Sequence, residues 1–193
     1  MQVLKFGGTS VANADNINKV VAIVKGTLNK DVTIVVVSAL GGVTDLLLEA
    51  ASLAAAGDET YRDKLRFVEH RHLETVKQLI PVAHQSQFLS LVKKSCNELE
   101  DICSGIYLLR ELTARSKDRI SSYGEWISSQ IISARFKADG IENVWKDARE
   151  LIVTNSNFTA AEVDFSPTNK NITQFFSQQK DTLFILPGFI AAD

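Results

Sequence analysis

The chain has 193 residues, 45% of them hydrophobic, with 21 Lys and Arg against 23 Asp and Glu for a formal charge of -2. That balance lacks the basic excess needed to neutralise a row of phosphates, so nucleic acid is excluded as the expected partner. With only 3 Pro and 10 Gly the chain is neither disordered nor fibrous in composition. No window approaches the roughly 18 apolar residues of a membrane span, and Lys5 followed by a Gly pair leaves too short an apolar start for a secretion signal. The expected compartment is therefore the cytoplasm, with no membrane partner.

In chain order, Gln2 to Phe6 is a short apolar strand that ends in Gly7-Gly8-Thr9-Ser10. A helix follows, signalled by Asn13 or Asp15 as N-cap and by Ile17, Val20, Val21, Val24 and Leu28 at helical spacing. The run Val32 to Val37 is almost continuously β-branched, as expected of a strand buried on both faces of a parallel sheet. It ends at Ser38-Ala39-Leu40-Gly41-Gly42 and leads to an Ala/Leu-rich helix, Thr44 to Ala56, closed by Gly57. From Asp58 to about Leu112 the pattern is wholly helical, broken once near Pro81, and reads as a helical insert at about 58–112. Its charged beginning, Asp58 to Arg71, reads as a solvated helix face, with His70 and His72 on the surface.

A further helix is predicted from about Ser116 to Ala138, stopping at Asp139-Gly140. Asn143 to Trp145 and Glu150 to Thr154 are short strand candidates, and Pro167 suits the first turn of a helix running to about Gln178. Thr182 to Leu186 is a last apolar strand before Pro187-Gly188-Phe189. Cys96 and Cys103 are seven apart on one helix face, too far for a disulfide, and read as core filler. Trp126, Trp145, Phe175 and Phe176 read as packing. The alternation of strands and helices predicts an α/β fold, a three-layer αβα sandwich on a mainly parallel sheet.

Ligands of open α/β sheets gather at the carboxyl ends of the strands. Three predicted strands end there in small or glycine-containing loops, at Gly7-Gly8-Thr9-Ser10, at Ser38 to Gly42 and at Gly188. The Gly pair lets backbone N–H groups approach an anion, the next helix offers its positive end, and Lys5 adds a full charge. The order of Lys and Gly fits neither a Walker A loop nor GxGxxG. On local chemistry alone the segment reads equally well as a phosphate cradle or as a tight strand-to-helix turn. Ser38 and Thr44 could likewise cap the helix that starts near Thr44. Glu125, alone, could be a solvated acid.

Five ordered motifs tip these readings. Lys5-Phe6-Gly7-Gly8-Thr9-Ser10-Val11 resembles the opening signature of aspartokinases, within the amino-acid kinase superfamily. Ser38 to Thr44 resembles their second loop, and Arg110 to Arg115 with Ser122-Tyr123-Gly124-Glu125 their central motif. Asp147-Ala148-Arg149 with Thr154-Asn155, and Pro187-Gly188-Phe189-Ile190, complete the series. The subtype most resembled is the kinase part of bifunctional aspartokinase/homoserine dehydrogenases.

The resemblance implies transfer of the γ-phosphoryl of ATP to the β-carboxylate of L-aspartate, with MgATP as co-substrate and no tightly bound cofactor. It implies Lys5 as the catalytic cation, Gly7, Gly8, Thr9, Ser10 and Gly188 around the phosphates, and Ser38, Thr44, Glu125 and Phe189 around the amino acid, with no metal ligands. A homo-oligomer is implied for the full-length protein. Members of the family continue past the Gly-Phe-Ile strand end into a glycine-rich segment and a nucleotide lobe. Residues 1–193 are accordingly expected to form the amino-acid-binding lobe and to be catalytically silent alone, with the strand ending at Leu186 exposing a sheet edge. Other readings are a family member acting on another small acid or carbamate, and a non-catalytic ligand-binding module.

Overall fold

The computed structural model describes residues 1–28, 32–180 and 182–193. Its centre is a parallel four-stranded sheet of β1 (Gln2–Phe6), β2 (Thr33–Val37), β3 (Val144–Trp145) and β4 (Leu183–Pro187), in the order β1-β2-β4-β3. Six helices cover it: α1 (Ala14–Thr27), α2 (Val43–Ala56), α3 (Tyr61–Leu79), α4 (Val82–Leu109), α5 (Ala114–Ala138) and α6 (Phe165–Ser177). The α/β expectation holds. The β-branched run of β2 lies between β1 and β4 and is buried along most of its length.

Alternation along the strands separates two cores. Leu4, Phe6, Val35, Val37, Leu183 and Ile185 face the larger one, which α1, α2 and α5 close and which continues between α2, α3 and α4. Ile34, Phe184 and Leu186 face the smaller one, where Phe175 and Phe176 of α6 pack edge-on against Phe184 at 5.9 and 4.9 Å between ring centres. Cys96, Cys103 and the four aromatic residues do fill space as predicted.

Helix ends follow local chemistry. Asn13 Oδ1 accepts from Asn16 N–H at 3.0 Å to start α1, and Thr113 Oγ1 accepts from Ser116 N–H at 3.1 Å to start α5. Gly57, at φ 75°, adopts the left-handed conformation that ends α2. Residues 58–112 contain α3 and α4 and no strand, and the chain breaks between them at Ile80-Pro81.

Four expectations change. Glu150 to Thr154 is not a strand: Asp147 caps a 3-10 turn at Ala148–Glu150, and the N–H groups of Leu151 and Ile152 are spent on Ala148 O. Only Val153 and Thr154 then remain for isolated bridges, to Ala192 and Val163. The strand ending at Leu186 is no sheet edge, because β3 pairs along its far side and leaves β1 and β3 outermost. His72 is buried, as is expected of a residue seven positions from Leu65 and four from Val68 on the packed side of α3. Arg71, at the end of the charged stretch, is drawn inward by backbone carbonyls of two other loops.

Candidate active site

The register brings the carboxyl ends of three strands level, with Phe6 beside Val37 and Val37 beside Pro187. The loops that leave them are knitted by backbone bonds: Ser38 N–H donates to Phe6 O at 3.1 Å, and Gly188 N–H to Val37 O at 2.8 Å. Glycine is required where these loops touch. A Cβ on Gly41 would lie 2.9 Å from Ala12 Cβ, and one on Gly188 would lie 2.9 Å from Val36 Cγ1 and 3.3 Å from Val37 O.

Ser38 and Glu125 meet here although 87 positions apart: Ser38 Oγ donates to Glu125 Oε1 at 3.5 Å. Glu125 lies on α5, 6% exposed, with Gly124 before it allowing α5 to approach the Ser38 loop. A Cβ on Gly124 would sit 2.8 Å from Ala39 Cβ. One turn further along α5, Ser128 donates to Ser38 O at 2.7 Å and fixes the loop from below. Burial pushes the Glu125 carboxyl above its ordinary value, opposed by hydrogen bonds that include the Ala39 N–H and the Ser38 hydroxyl. Glu125 is thus no solvated surface acid. It is a desolvated acceptor at the ends of the strands, suited to a cation.

Ser38 and Thr44 do not cap α2. Its N-cap is Gly42, at φ 76° and without a side-chain bond, and Thr44 stands half-buried in its first turn. In the first loop the N–H groups of Ser10 and Val11 turn inward to Gly7 O at 2.9 and 3.2 Å, so those two donors are already used. Thr9 O accepts from Asn16 Nδ2 at 2.9 Å. Gly7 and Thr9 are exposed, Gly8 and Ser10 half-buried.

Lys5 is placed differently from Ser38 and Glu125. It pairs in register with Val36, one step before the strand end, and alternates with Leu4 and Phe6. Its side chain therefore leaves the sheet on the face opposite α5, and is exposed. Phe189 follows Gly188 at φ 59°, a costly backbone for a bulky side chain, and its ring stands fully in solvent. Among the described residues no group of three or more His, Cys, Asp or Glu could hold a metal ion, and no helix is long and apolar enough to cross a membrane. A cavity of about 70 Å³ lined by Glu98, Ser122, Tyr123, Trp126 and Arg149 contains none of the predicted site residues.

Sequence comparison decides the lineage of this arrangement, because the model of the amino acid kinase family matches residues 1–193. The chain belongs to the amino acid kinase family. Relatives of this family member include the chloroplastic bifunctional aspartokinase/homoserine dehydrogenase 1 of Arabidopsis thaliana, 32% identical over 98% of the chain and 21% of the relative. Aspartokinase 1 of the same plant, also chloroplastic, is 30% identical over 83% of the chain and 28% of its own length. Among solved structures, E. coli aspartokinase III in complex with aspartate and ADP superposes with a TM-score of 0.88 at 25% identity, covering 99% of this chain and 41% of that one. The chain thus spans about a fifth of the length of the curated bifunctional relative.

The loops after β1 and β2 and the Gly124-Glu125 pair were legible as site candidates. Ser128 and Arg71 were not, since a serine inside a helix and an arginine in a charged run carry no signal until the chain is folded.

Proposed function

We propose that the full-length protein containing this chain is an aspartate kinase, which transfers the γ-phosphoryl of MgATP to the β-carboxylate of L-aspartate. The product is an acyl phosphate, and the step would open the biosynthesis of lysine, threonine and methionine. The observation that carries the reading is the contact of half-buried Ser38 with the buried Glu125 carboxylate at the strand ends, a polar group that α5 encloses. Aspartokinase relatives, one of them solved with aspartate and ADP, supply the substrate class.

An aspartate side chain has a pKa near 3.9, so it is already ionised at neutral pH and requires no general base. The barrier is the approach of one anion to another, which makes catalysis a matter of placement and charge neutralisation. Glu125 would take the substrate ammonium; Ser38 and Thr44 would donate to its carboxylates, beside Phe189. The β-carboxylate would then lie across the strand ends toward Gly7, Gly8, Thr9, Ser10 and Gly188. Lys5, rising from the other face of β1, would stabilise the transferring phosphoryl. Residues 1–193 alone would be silent.

Aspartate-dependent ADP formation, with the acyl phosphate trapped by hydroxylamine, tests this in the full-length protein and in residues 1–193. Equal turnover by glutamate or carbamate in place of aspartate, or no turnover with any acid, would overturn it.

A further inference from the structure

The two glycine loops of the site touch but are not bonded directly at their outer turns; a side chain from α3 connects them. Arg71 Nη1 donates to Gly41 O at 2.7 Å and Arg71 Nη2 to Ala12 O at 3.0 Å. The guanidinium is half-buried and lies 5.9 Å from the centre of the Phe67 ring. Gly41 and Ala12 are themselves in contact, with no room for a Cβ on Gly41. A planar fork of fixed geometry therefore spans one carbonyl from each loop exactly where the loops abut.

We propose that Arg71 is a positioning residue that locks the loop after β1 to the loop after β2 in one relative register. A trans peptide points its C=O and the following N–H in opposite directions. Holding Ala12 O and Gly41 O toward Arg71 therefore fixes the Asn13 and Gly42 N–H groups away from it. The starts of α1 and α2, and with them the Thr9 and Thr44 segments, are set by one side chain that touches no substrate. The two long helices between residues 58 and 112 thereby acquire a role in the site, through α3. Lysine cannot reproduce this, because a single ammonium on a flexible stem lacks the planar fork that spans two carbonyls.

The catalytic part of the proposal rests on the aspartate kinase reading; the structural part does not. Both are tested in the full-length protein with Arg71→Met and Arg71→Lys. Amide hydrogen exchange should accelerate roughly tenfold or more in Arg71→Met at Ser10, Val11 and Val43, whose N–H groups are bonded within these turns, while β4 stays protected. Arg71→Lys should fall between Arg71→Met and wild type. In steady state Arg71→Met should raise KM for aspartate and for ATP together by several-fold, with partial recovery in Arg71→Lys. Unchanged exchange at the three amides, or acceleration spread evenly over sheet and helices in both variants, would overturn the proposal. Absence of phosphoryl transfer in the wild type would remove the kinase reading and leave the exchange result to decide on Arg71.

Discussion

The two faces of the sheet are built to different degrees of closure. On one, α1, α2 and α5 cover Leu4, Phe6, Val35 and Val37, and the polar groups of the site on that side, Glu125 and Ser128, are buried and tied to Ser38. On the other, α6 covers Phe184 but leaves Val3 and Lys5 of β1 exposed. If Lys5 and Glu125 serve the roles proposed for them, this difference divides the work of the site between a closed and an open face. The closed side presents a preset acceptor of defined geometry, whose desolvation cost was met on folding. The open side presents the exposed Lys5 ammonium, a point charge that acts at a distance and needs less exact placement.

The sharpest way to break this comparison is Lys5→Ala. If the open side serves the transferring phosphoryl, kcat of the full-length protein should fall on the order of 10² to 10³, with aspartate KM little changed. Steady-state rates within twofold of wild type would reduce Lys5 to a strand-end residue.

On the closed side, Glu125→Gln should act on binding instead. Loss of a hydrogen bond to a charged group, about 1.5–3 kcal/mol, raises aspartate KM roughly 10- to 100-fold. The same substitution should stabilise the fold at neutral pH. The folded carboxyl is raised above its ordinary value, so the folded state binds more protons than the unfolded one between the two values. Its contribution to stability is full below the unfolded pKa and is lost as pH rises through the folded one. Thermal unfolding should therefore show Glu125→Gln gaining on wild type across the interval from the ordinary Glu value of 4.5 up to neutral pH. A constant difference across that interval would contradict the burial argument.

A smaller effect is expected where the closed side is held shut. In Gly124→Ala the new methyl would meet Ala39 Cβ at 2.8 Å and Val43 Cγ1 at 3.4 Å, so α5 must withdraw from the Ser38 loop. Overpacking of this kind costs about 1–3 kcal/mol. A lowered melting temperature with a several-fold rise in aspartate KM is the expected pair of results. Lower stability with unchanged KM would show that the Ser38–Glu125 contact tolerates the shift.

The fold was largely legible because its signals are local or periodic: the β-branched β2, the cap at Asn13, the glycine after α2, the break at Pro81. The loops at the strand ends were legible for the same reason. Contacts across the fold were not. That Ser128 holds Ser38, 90 positions away, depends on how α5 crosses the sheet, and the pattern of neither segment encodes it. The short strand predicted at Glu150 to Thr154 failed because its three apolar residues, Leu151 to Val153, fit a strand or a turn equally well, and Asp147 decided for the turn. The resemblance implies Lys5 and Glu125 in one site, as catalytic cation and amino-acid contact, whereas the alternation of β1 sends the Lys5 side chain to the sheet face opposite α5.

The smallest effect on turnover is expected at His72, which follows Arg71 on α3 but bonds within its own helix, to Val68, and was misread as a surface residue. It is fully buried; its Nδ1 is 2.8 Å from Val68 O, and Nε2 is the described buried side-chain atom left without a partner. With Nδ1 donating to the carbonyl, Nε2 carries a lone pair, and the ring must stay neutral. Burial lowers its pKa from 6.5 to about 4, with the neighbouring Arg71 charge acting in the same direction and the Val68 bond against it. The folded state then binds fewer protons than the unfolded state between those values, so stability is lost as pH falls from about 6.5 toward 4. The loss is on the order of 2 kcal/mol by pH 5. His72→Gln, which keeps a polar side chain of similar reach but cannot titrate, should flatten this limb of the stability profile. Turnover at pH 7.5 should stay within about twofold, since the comparison of the two sheet faces assigns His72 no part in the site. Urea unfolding of wild type and variant at pH 5 and pH 7.5 measures it: an equal loss in both proteins would mean that other groups, not His72, set the acid sensitivity of the helical layer.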